Sequence, residues 1–335
     1  MNLLRKLLFP FSLLYGGITA LRNLLYNKGW LKSKEYDFPI ICVGNLSTGG
    51  TGKSPMIEFL ISFLQNNYKI AVLSRGYKRK SSGYQEVSEN STVEEVGDEP
   101  LQFKKKFPQI HVAVCEDRQT GIEKLSFLAD VVLLDDAFQH RKVRASFNIL
   151  LTSFDNLYSN DCVLPAGNLR EPKFGAKRAD IIIVTKCPEN IEESKMESIK
   201  RKLNPQPSQD IYFSKIGYAS EIKNANSTKP IDYLRDKNFL LVTGIANPKP
   251  LISFLKDKGF KFEEKSFPDH HNFTTSEIEK LKSHKLILTT EKDYMRLQLL
   301  SQFTEIYYLP IQTIFIDGSQ SNFKQRIENV ISSKL

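Results

Sequence analysis

The stretch Ser47-Thr48-Gly49-Gly50-Thr51-Gly52-Lys53-Ser54, residues 47–54, decides the fold. It follows an apolar run, PIICVGN (39–45), and leads into SPMIEFLISFLQNN (54–67), whose apolar residues recur at helical spacing. A strand, a glycine-rich loop and a helix in that order form a P-loop. Its glycines let successive backbone N–H groups turn inward around phosphate oxygens, its lysine reaches the β and γ phosphates, and its Ser or Thr hydroxyl binds Mg²⁺. Ser47 stands where the first glycine of the pattern is usual, and Gly49, Gly50 and Gly52 supply the backbone freedom. A plain glycine-rich turn is the competing reading.

Outward from the loop, short apolar runs rich in β-branched residues alternate with amphipathic ones. KIAVLSRGY (69–77), IHVAVCED (110–117), ADVVLLDD (129–136), FNILLTS (147–153) and ADIIIVTK (179–186) continue the strand series. This predicts an α/β fold, a P-loop NTPase-like parallel sheet with helices on both faces. The polar stretch KRKSSGYQEVSENSTVEEVGDE (78–99) is long for a connection inside a compact domain, which points to a functional loop. After Cys187 the chain turns charged and helical, and NPQP (204–207) breaks that helix. A second α/β pattern follows in NFLLVTGIA, PKPLISFLKDKG, KFEEKSFP, TTSEIEKLKSH, KLILTT and EIYYLPIQTIF. The expected division is an amino-terminal helix over 1–34, a nucleotide-binding domain over 35–208, an extended linker over 209–238 and a smaller α/β lobe over 239–335.

With 335 residues, 41% hydrophobic and 25% charged, the chain has the composition of a folded protein with room for two lobes, not of a disordered one. A net charge of +9 favours an anionic partner: nucleic acid, phosphorylated substrate or acidic lipid. Cys42, Cys115, Cys162 and Cys187 form no C-x-x-C pair, so neither a zinc site nor a disulfide framework is indicated. In the amino-terminal segment, Leu4, Leu7, Leu8, Phe11, Leu14, Tyr15, Ile18, Leu21 and Leu25 share one helical face. The charge-free stretch from Leu7 to Leu21 falls short of the ~20 residues that cross a bilayer. Arg5, Lys6, Arg22 and Lys28 flank it, which suits a helix lying on an anionic membrane surface, and a helix docked on the protein's own core has the same pattern.

Val131-Val132-Leu133-Leu134-Asp135-Asp136 is the second chemical signal: an apolar strand ending in aspartate, downstream of a P-loop, presents a carboxylate to Mg²⁺. Asp98, in VGDEP, fits an N-cap for EPLQFKKKF as well as a catalytic group. Arg75 and Arg118 fit phosphate ligands or surface charges, and Glu171 in LPAGNLREP fits a site or a solvated loop. His270 and His271 follow Asp269 in a loop, and Thr185-Lys186 after the sixth strand suits a loop near a nucleotide base.

Taken in order, GNLSTGGTGKSP, LSRGY, VGDEP, VLLDDAFQH, LPAGNLREP, ADIIIVTK, LVTGIANP, FPDHHNFT and TTEKDYMRL resemble the tetraacyldisaccharide 4'-kinase family from the amino-terminal helix to about Pro310. Ser54 where threonine is frequent and Ala137 where glycine is frequent are small departures. The resemblance implies transfer of the γ-phosphate of ATP to the 4'-hydroxyl of a tetraacylated glucosamine disaccharide 1-phosphate, giving lipid IVA in lipid A biosynthesis. It implies action at the cytoplasmic face of the Gram-negative inner membrane, with ATP and Mg²⁺ as cofactors. The partners it implies are an acylated disaccharide lipid and anionic inner-leaflet lipid, with no nucleic acid. By the same resemblance Asp98 is the catalytic base and His270 its partner, brought together by lobe closure, and Lys53 stabilises the γ-phosphate. Ser54, Asp135 or Asp136, and Glu171 form or support the Mg²⁺ shell. A P-loop GTPase or ATPase switch on a membrane, or a non-catalytic nucleotide-binding adaptor, would share the loop and the helix but would not consume ATP in proportion to lipid acceptor.

Overall fold

The computed structural model describes residues 5, 7–269, 271, 273–297, 302, 304–316 and 318–335. Leu4 and Lys6 of the expected amphipathic segment lie outside them. The chain forms two compact units, 1–216 with 313–335, and 217–312.

The larger unit is built on a mostly parallel sheet. Its strands are β1 (Ile40–Asn45), β2 (Ile70–Ser74), β3 (Gln85–Glu86), β4 (His111–Val114), β5 (Val131–Asp135), β6 (Phe147–Ser153), β7 (Ile181–Thr185) and β8 (Asp210–Tyr218). The strand order is β15-β8-β7-β6-β1-β5-β2-β4-β3, where β15 is Ile311–Phe315. Strand β1 pairs in parallel with β5 on one side and β6 on the other, so the loop leaving its carboxyl end emerges at the middle of the sheet. Both faces of these strands are apolar, and each face carries its own core. Ile41, Val43, Val72 and Leu133 pack with the helices Lys53–Leu64, Asp98–Lys106 and Gln320–Ser332. Ile40, Cys42, Leu73 and Leu134 pack with the helices Arg118–Leu125 and Glu193–Leu203. Helices therefore cover both faces, as the near-continuous apolar runs require.

In the smaller unit, β9 (Glu221–Lys223), β10 (Thr228–Pro230), β11 (Phe239–Thr243), β12 (Phe262–Ser266), β13 (Leu286–Thr290) and β14 (Glu305–Leu309) form a mixed sheet in the order β10-β9-β14-β13-β11-β12. Strands β11 to β14 run parallel, and β9 and β10 close the edge antiparallel.

Two boundaries differ from the sequence expectation. The span 209–238 is no linker: β8 occupies its first third as a parallel partner of β7. EIYYLPIQTIF does not belong to one lobe either. Pro310 lacks the N–H that a continuous ladder needs, so the run splits, with β14 in the smaller sheet and β15 beside β8 in the larger one. The chain from 313 onward, including the helix Gln320–Ser332 with Phe323, Ile327 and Ile331 fully buried, thus completes the larger unit.

The amino-terminal helix, Phe9–Asn27, begins with Pro10 in its first turn, where the missing N–H costs no bond. Its polar side is the buried one. Ser12 and Asn23 are 1% and 2% exposed, whereas Leu7, Phe11, Leu14, Ile18 and Leu21 are 57% to 72% exposed. Ser12 Oγ accepts from Ala166 N at 2.9 Å, Tyr15 Oη donates to Arg170 O at 2.9 Å, and Asn23 Nδ2 donates to Glu171 Oε2 at 2.6 Å. The helix is docked on the core and also presents its apolar stripe outward. Among the described residues no helix is long and apolar enough to cross a membrane.

Candidate active site

The P-loop leaves β1 and enters the helix Lys53–Leu64 through Gly52, whose φ of +87° lies in the left-handed region that glycine adopts without strain. Three neighbours brace the loop. Asn45 Nδ2 donates to Thr51 Oγ1 at 2.9 Å, and Thr185 Oγ1 donates to Thr51 O at 2.7 Å. Lys186 Nζ donates to Gly50 O at 2.6 Å, so Thr185-Lys186, expected near a nucleotide base, holds the phosphate loop itself. From the other side, Thr48 N donates to Asn168 O and Arg170 N to Leu46 O, both at 2.7 Å.

Asp135 ends β5 directly opposite Val43 of β1, and Asp136 follows with a φ of +49°. Asp135 is 1% exposed. Its Oδ2 accepts from Ser74 Oγ at 2.6 Å, and its buried Oδ1 has no partner among the described residues. Burial pushes its carboxyl well above the ordinary carboxylate range, and the charges of Glu99 and Asp136 add to the rise. Asp136 lies between two cations, with Arg170 Nη1 donating to its two oxygens at 2.9 and 3.0 Å and Lys53 Nζ at 3.7 Å. Ser54, 4% exposed at the start of the P-loop helix, donates its hydroxyl to Glu99. Gly44 makes this arrangement possible, because a Cβ there would meet Phe138 Cβ at 2.6 Å as the loop after Asp136 crosses β1.

These residues fit Mg²⁺. A buried carboxylate oxygen without a donor, in an environment that penalises its charge, is satisfied by a cation. Among the described residues no three His, Cys, Asp or Glu side chains form a metal cage. Mg²⁺ usually needs no such cage, taking one or two carboxylates together with substrate phosphates and water.

Glu171, expected in the metal shell, is placed otherwise. Its Oε1 accepts from Gln139 Nε2 (3.0 Å) and Arg178 Nη2 (2.7 Å), and its Oε2 from Asn23 Nδ2 (2.6 Å) and Arg178 Nη1 (2.9 Å). A carboxylate has about four lone-pair sites, and all of them are engaged here. Glu171 is a hub joining the amino-terminal helix to the loop beside the P-loop.

Asp98 is the first residue of its helix and half-buried, with Gly97 at the cap position, so it is not the side-chain cap the local sequence suggests. Arg75 is exposed, and Arg118 is buried with Nη1 donating to Cys115 O at 2.6 Å. His271 stacks on Phe267 and pairs with Glu277 at 2.9 Å inside the capping box of the helix Thr275–Leu281. His270 lies outside the described residues. Four participants escape a reading of the sequence: Glu99, Asn45, Gln139 and Arg170. Each lies inside a quoted motif, but nothing in its own spacing separates it from a solvated polar residue.

The model of the family described as tetraacyldisaccharide-1-P 4'-kinase matches residues 4–332. The chain belongs to the tetraacyldisaccharide 4'-kinase family. It is 49% identical over 341 residues to the tetraacyldisaccharide 4'-kinase of Flavobacterium johnsoniae, covering 100% of this chain and 99% of that one. It is 44% identical to the corresponding enzyme of Bacteroides thetaiotaomicron, covering 97% and 92%. The crystal structure of the "apo" form of LpxK from Aquifex aeolicus in complex with ATP superposes with a TM-score of 0.79 at 33% identity, covering 98% of this chain and 100% of that one. The protein is thus the lipid A 4'-kinase that produces lipid IVA. At the end of β5, Asp135 supplies a buried unsatisfied oxygen and its neighbour Asp136 the contact with the P-loop lysine.

Proposed function

We propose that the kinase binds ATP on the P-loop, with Mg²⁺ held by Ser54 and Asp135, and works with its amino-terminal helix laid on the cytoplasmic face of the inner membrane. The observation that carries the nucleotide reading is the unsatisfied Oδ1 of Asp135, buried at the end of the strand paired with the P-loop strand. Mg²⁺ bound there supplies charge neutralisation of the phosphates and a template for in-line transfer. The solved relative that was crystallised with ATP supports the choice of nucleotide.

The protein's own groups do the rest. Lys53, held at 3.7 Å from Asp136, is aimed to stabilise charge developing on the γ-phosphate, and Arg170 fixes Asp136 so that Lys53 is not drawn into a closer pair. Asp98, at a helix start with Gly97 at the cap position, is suited to orient the sugar 4'-hydroxyl and take its proton late. His270, implied by the family pattern, is its proposed partner. His271, already committed to Glu277 and Phe267, is not.

For the membrane, the support is the inverted amphipathicity of the helix: five large apolar side chains face outward while polar ones face the core. A contiguous apolar patch on a soluble surface marks an interaction site, and an acylated substrate resides in a bilayer. Purified protein given ATP, Mg²⁺ and the tetraacyl disaccharide 1-phosphate in anionic vesicles should transfer phosphate in proportion to acceptor. ATP hydrolysis that ignores the acceptor would instead indicate a nucleotide switch.

A further inference from the structure

Three hydrogen bonds tie the amino-terminal helix to one short segment, and that segment holds the phosphate site. Ser12 takes Ala166 N, Tyr15 donates to Arg170 O, and Asn23 donates to Glu171. From the same segment, Asn168 O receives Thr48 N, Arg170 N reaches Leu46 O, and the Arg170 guanidinium grips Asp136. Gln139 closes the circuit, bonding Glu171 Oε1 at 3.0 Å and Asn45 O at 2.8 Å at the end of β1. The hydrogen bonds from the buried side of the helix thus converge on residues 166–171, and Arg22 Nη2 adds an exposed contact to Gln139 O at 3.3 Å.

We infer that Asn23 and Tyr15 are positioning residues for phosphoryl transfer: the helix is a strut that fixes Arg170, and through it Asp136 and the P-loop, in reacting geometry. An anchor alone would not need this. A helix that only holds lipid would be joined by apolar packing or by a flexible linker, whereas Asn23 is 2% exposed and spends its amide on a carboxylate already paired with Arg178. The two sides of one helix then serve two functions, the outward apolar stripe meeting lipid and the inward polar row setting the site.

This inference rests on the reading of Lys53 and Asp136 as the phosphate site. Tyr15→Phe removes one hydroxyl, and Asn23→Ala removes one amide, both from a side of the helix that does not face lipid. Each should lower kcat, by roughly 10- to 100-fold for Asn23→Ala since displacements near 1 Å cost that much. Partition into anionic vesicles and KM for the lipid acceptor should stay as in the wild type. The double variant should lose less than the product of the two single losses.

Asn23→Asp gives a separate readout, because it sets a carboxylate against Glu171. Its kcat relative to wild type should recover as pH falls and a shared proton restores the hydrogen bond. Wild-type kcat in Asn23→Ala with normal melting, or a loss confined to vesicle binding, would overturn the strut. Lys53→Ala keeps the two readings apart: an active Lys53→Ala would sink the site assignment itself, whereas an inactive one beside a fully active Asn23→Ala would sink only the strut.

Discussion

At the scale of single residues, the Mg²⁺-holding role proposed for Asp135 sets function against stability. Its carboxyl is raised by burial and by the charges of Glu99 and Asp136, so the folded state binds a proton more tightly than the unfolded chain does. The sign follows by linkage: its contribution favours folding below the ordinary carboxylate range and is lost as pH rises toward neutrality. Asp135→Asn removes the buried charge and keeps an acceptor for Ser74. It should raise Tm at pH 7.5, with the gain shrinking toward pH 4, while abolishing Mg²⁺-dependent transfer; an unchanged Tm across that range would show that the carboxylate is not penalised. Lys53→Ala should cost about 10²–10³-fold in kcat with the melting temperature kept, measured on folded protein at saturating ATP. Asp98→Ala separates the base from a mere helix-start residue. Loss of a general base lowers kcat by about 10² to 10⁴, and retention of wild-type turnover would remove Asp98 from the mechanism. The place of the glycine-rich loop between β1 and a helix, and of the aspartates at the end of β5, was legible in the sequence because strand, loop and helix patterns fix those positions. The partners of Glu171 were not legible, since only the fold brings Asn23, Gln139 and Arg178 to its oxygens. Arg170 was hidden for the same reason: its partner Asp136 is 34 positions away.

At the scale of elements, helical periodicity grouped the exposed leucines of the amino-terminal stripe but put Tyr15 among them, which the fold turns inward. It could not say which way the stripe faces, because a stripe facing lipid and a stripe facing a core have the same spacing. The polar row was the missing clue. Ser12, Tyr15 and Asn23 lie three to eight positions apart on one side and would be wasted on water if the stripe were buried. The membrane prediction sharpens accordingly. Leu14→Ser with Leu21→Ser removes two outward side chains that are 66% and 57% exposed, so it takes nothing from the core. Burying each leucine contributes about 1.5–3 kcal/mol, so affinity for anionic vesicles should fall by more than tenfold in a sedimentation assay. Undiminished sedimentation would mean that the outward stripe does not meet lipid. Strands β1, β2, β4, β5, β6 and β7 of the larger sheet were readable one by one as apolar runs, whereas β3 and β8, which are only partly buried, were not. Strands β9 and β10 were not, because strands of three residues carry no period.

At the scale of the whole molecule, the carboxyl-terminal assignment failed for a physical reason that now makes a prediction. Contiguity in sequence suggested that everything after 239 forms one lobe, but 217–312 is an insertion between the strands β8 and β15 of one sheet. The exit and return of the chain are already bonded there, Ala219 N to Pro310 O at 3.0 Å. Joining Ile216 to Thr313 by a short Gly/Ser linker should therefore leave the larger unit with its complete core, including Phe315, Phe323, Ile327 and Ile331. A chain ending at 312 keeps more residues but loses most of β15 and all of that helix. It uncovers Phe59 and Tyr212, whose rings pack on Phe315 and Phe323 at 5.2 to 6.0 Å. Even Phe323→Ala alone is expected to cost about 3–5 kcal/mol, so removal of the whole helix exceeds the stability of an ordinary domain. In thermal melts the bridged protein should unfold cooperatively, gain Tm with MgATP because the P-loop lies wholly in its unit, and transfer no phosphate to lipid. The longer truncated chain should show no cooperative transition. A folded 1–312 chain beside an unfolded bridged one would mean that the larger unit does not depend on its returning strand and helix.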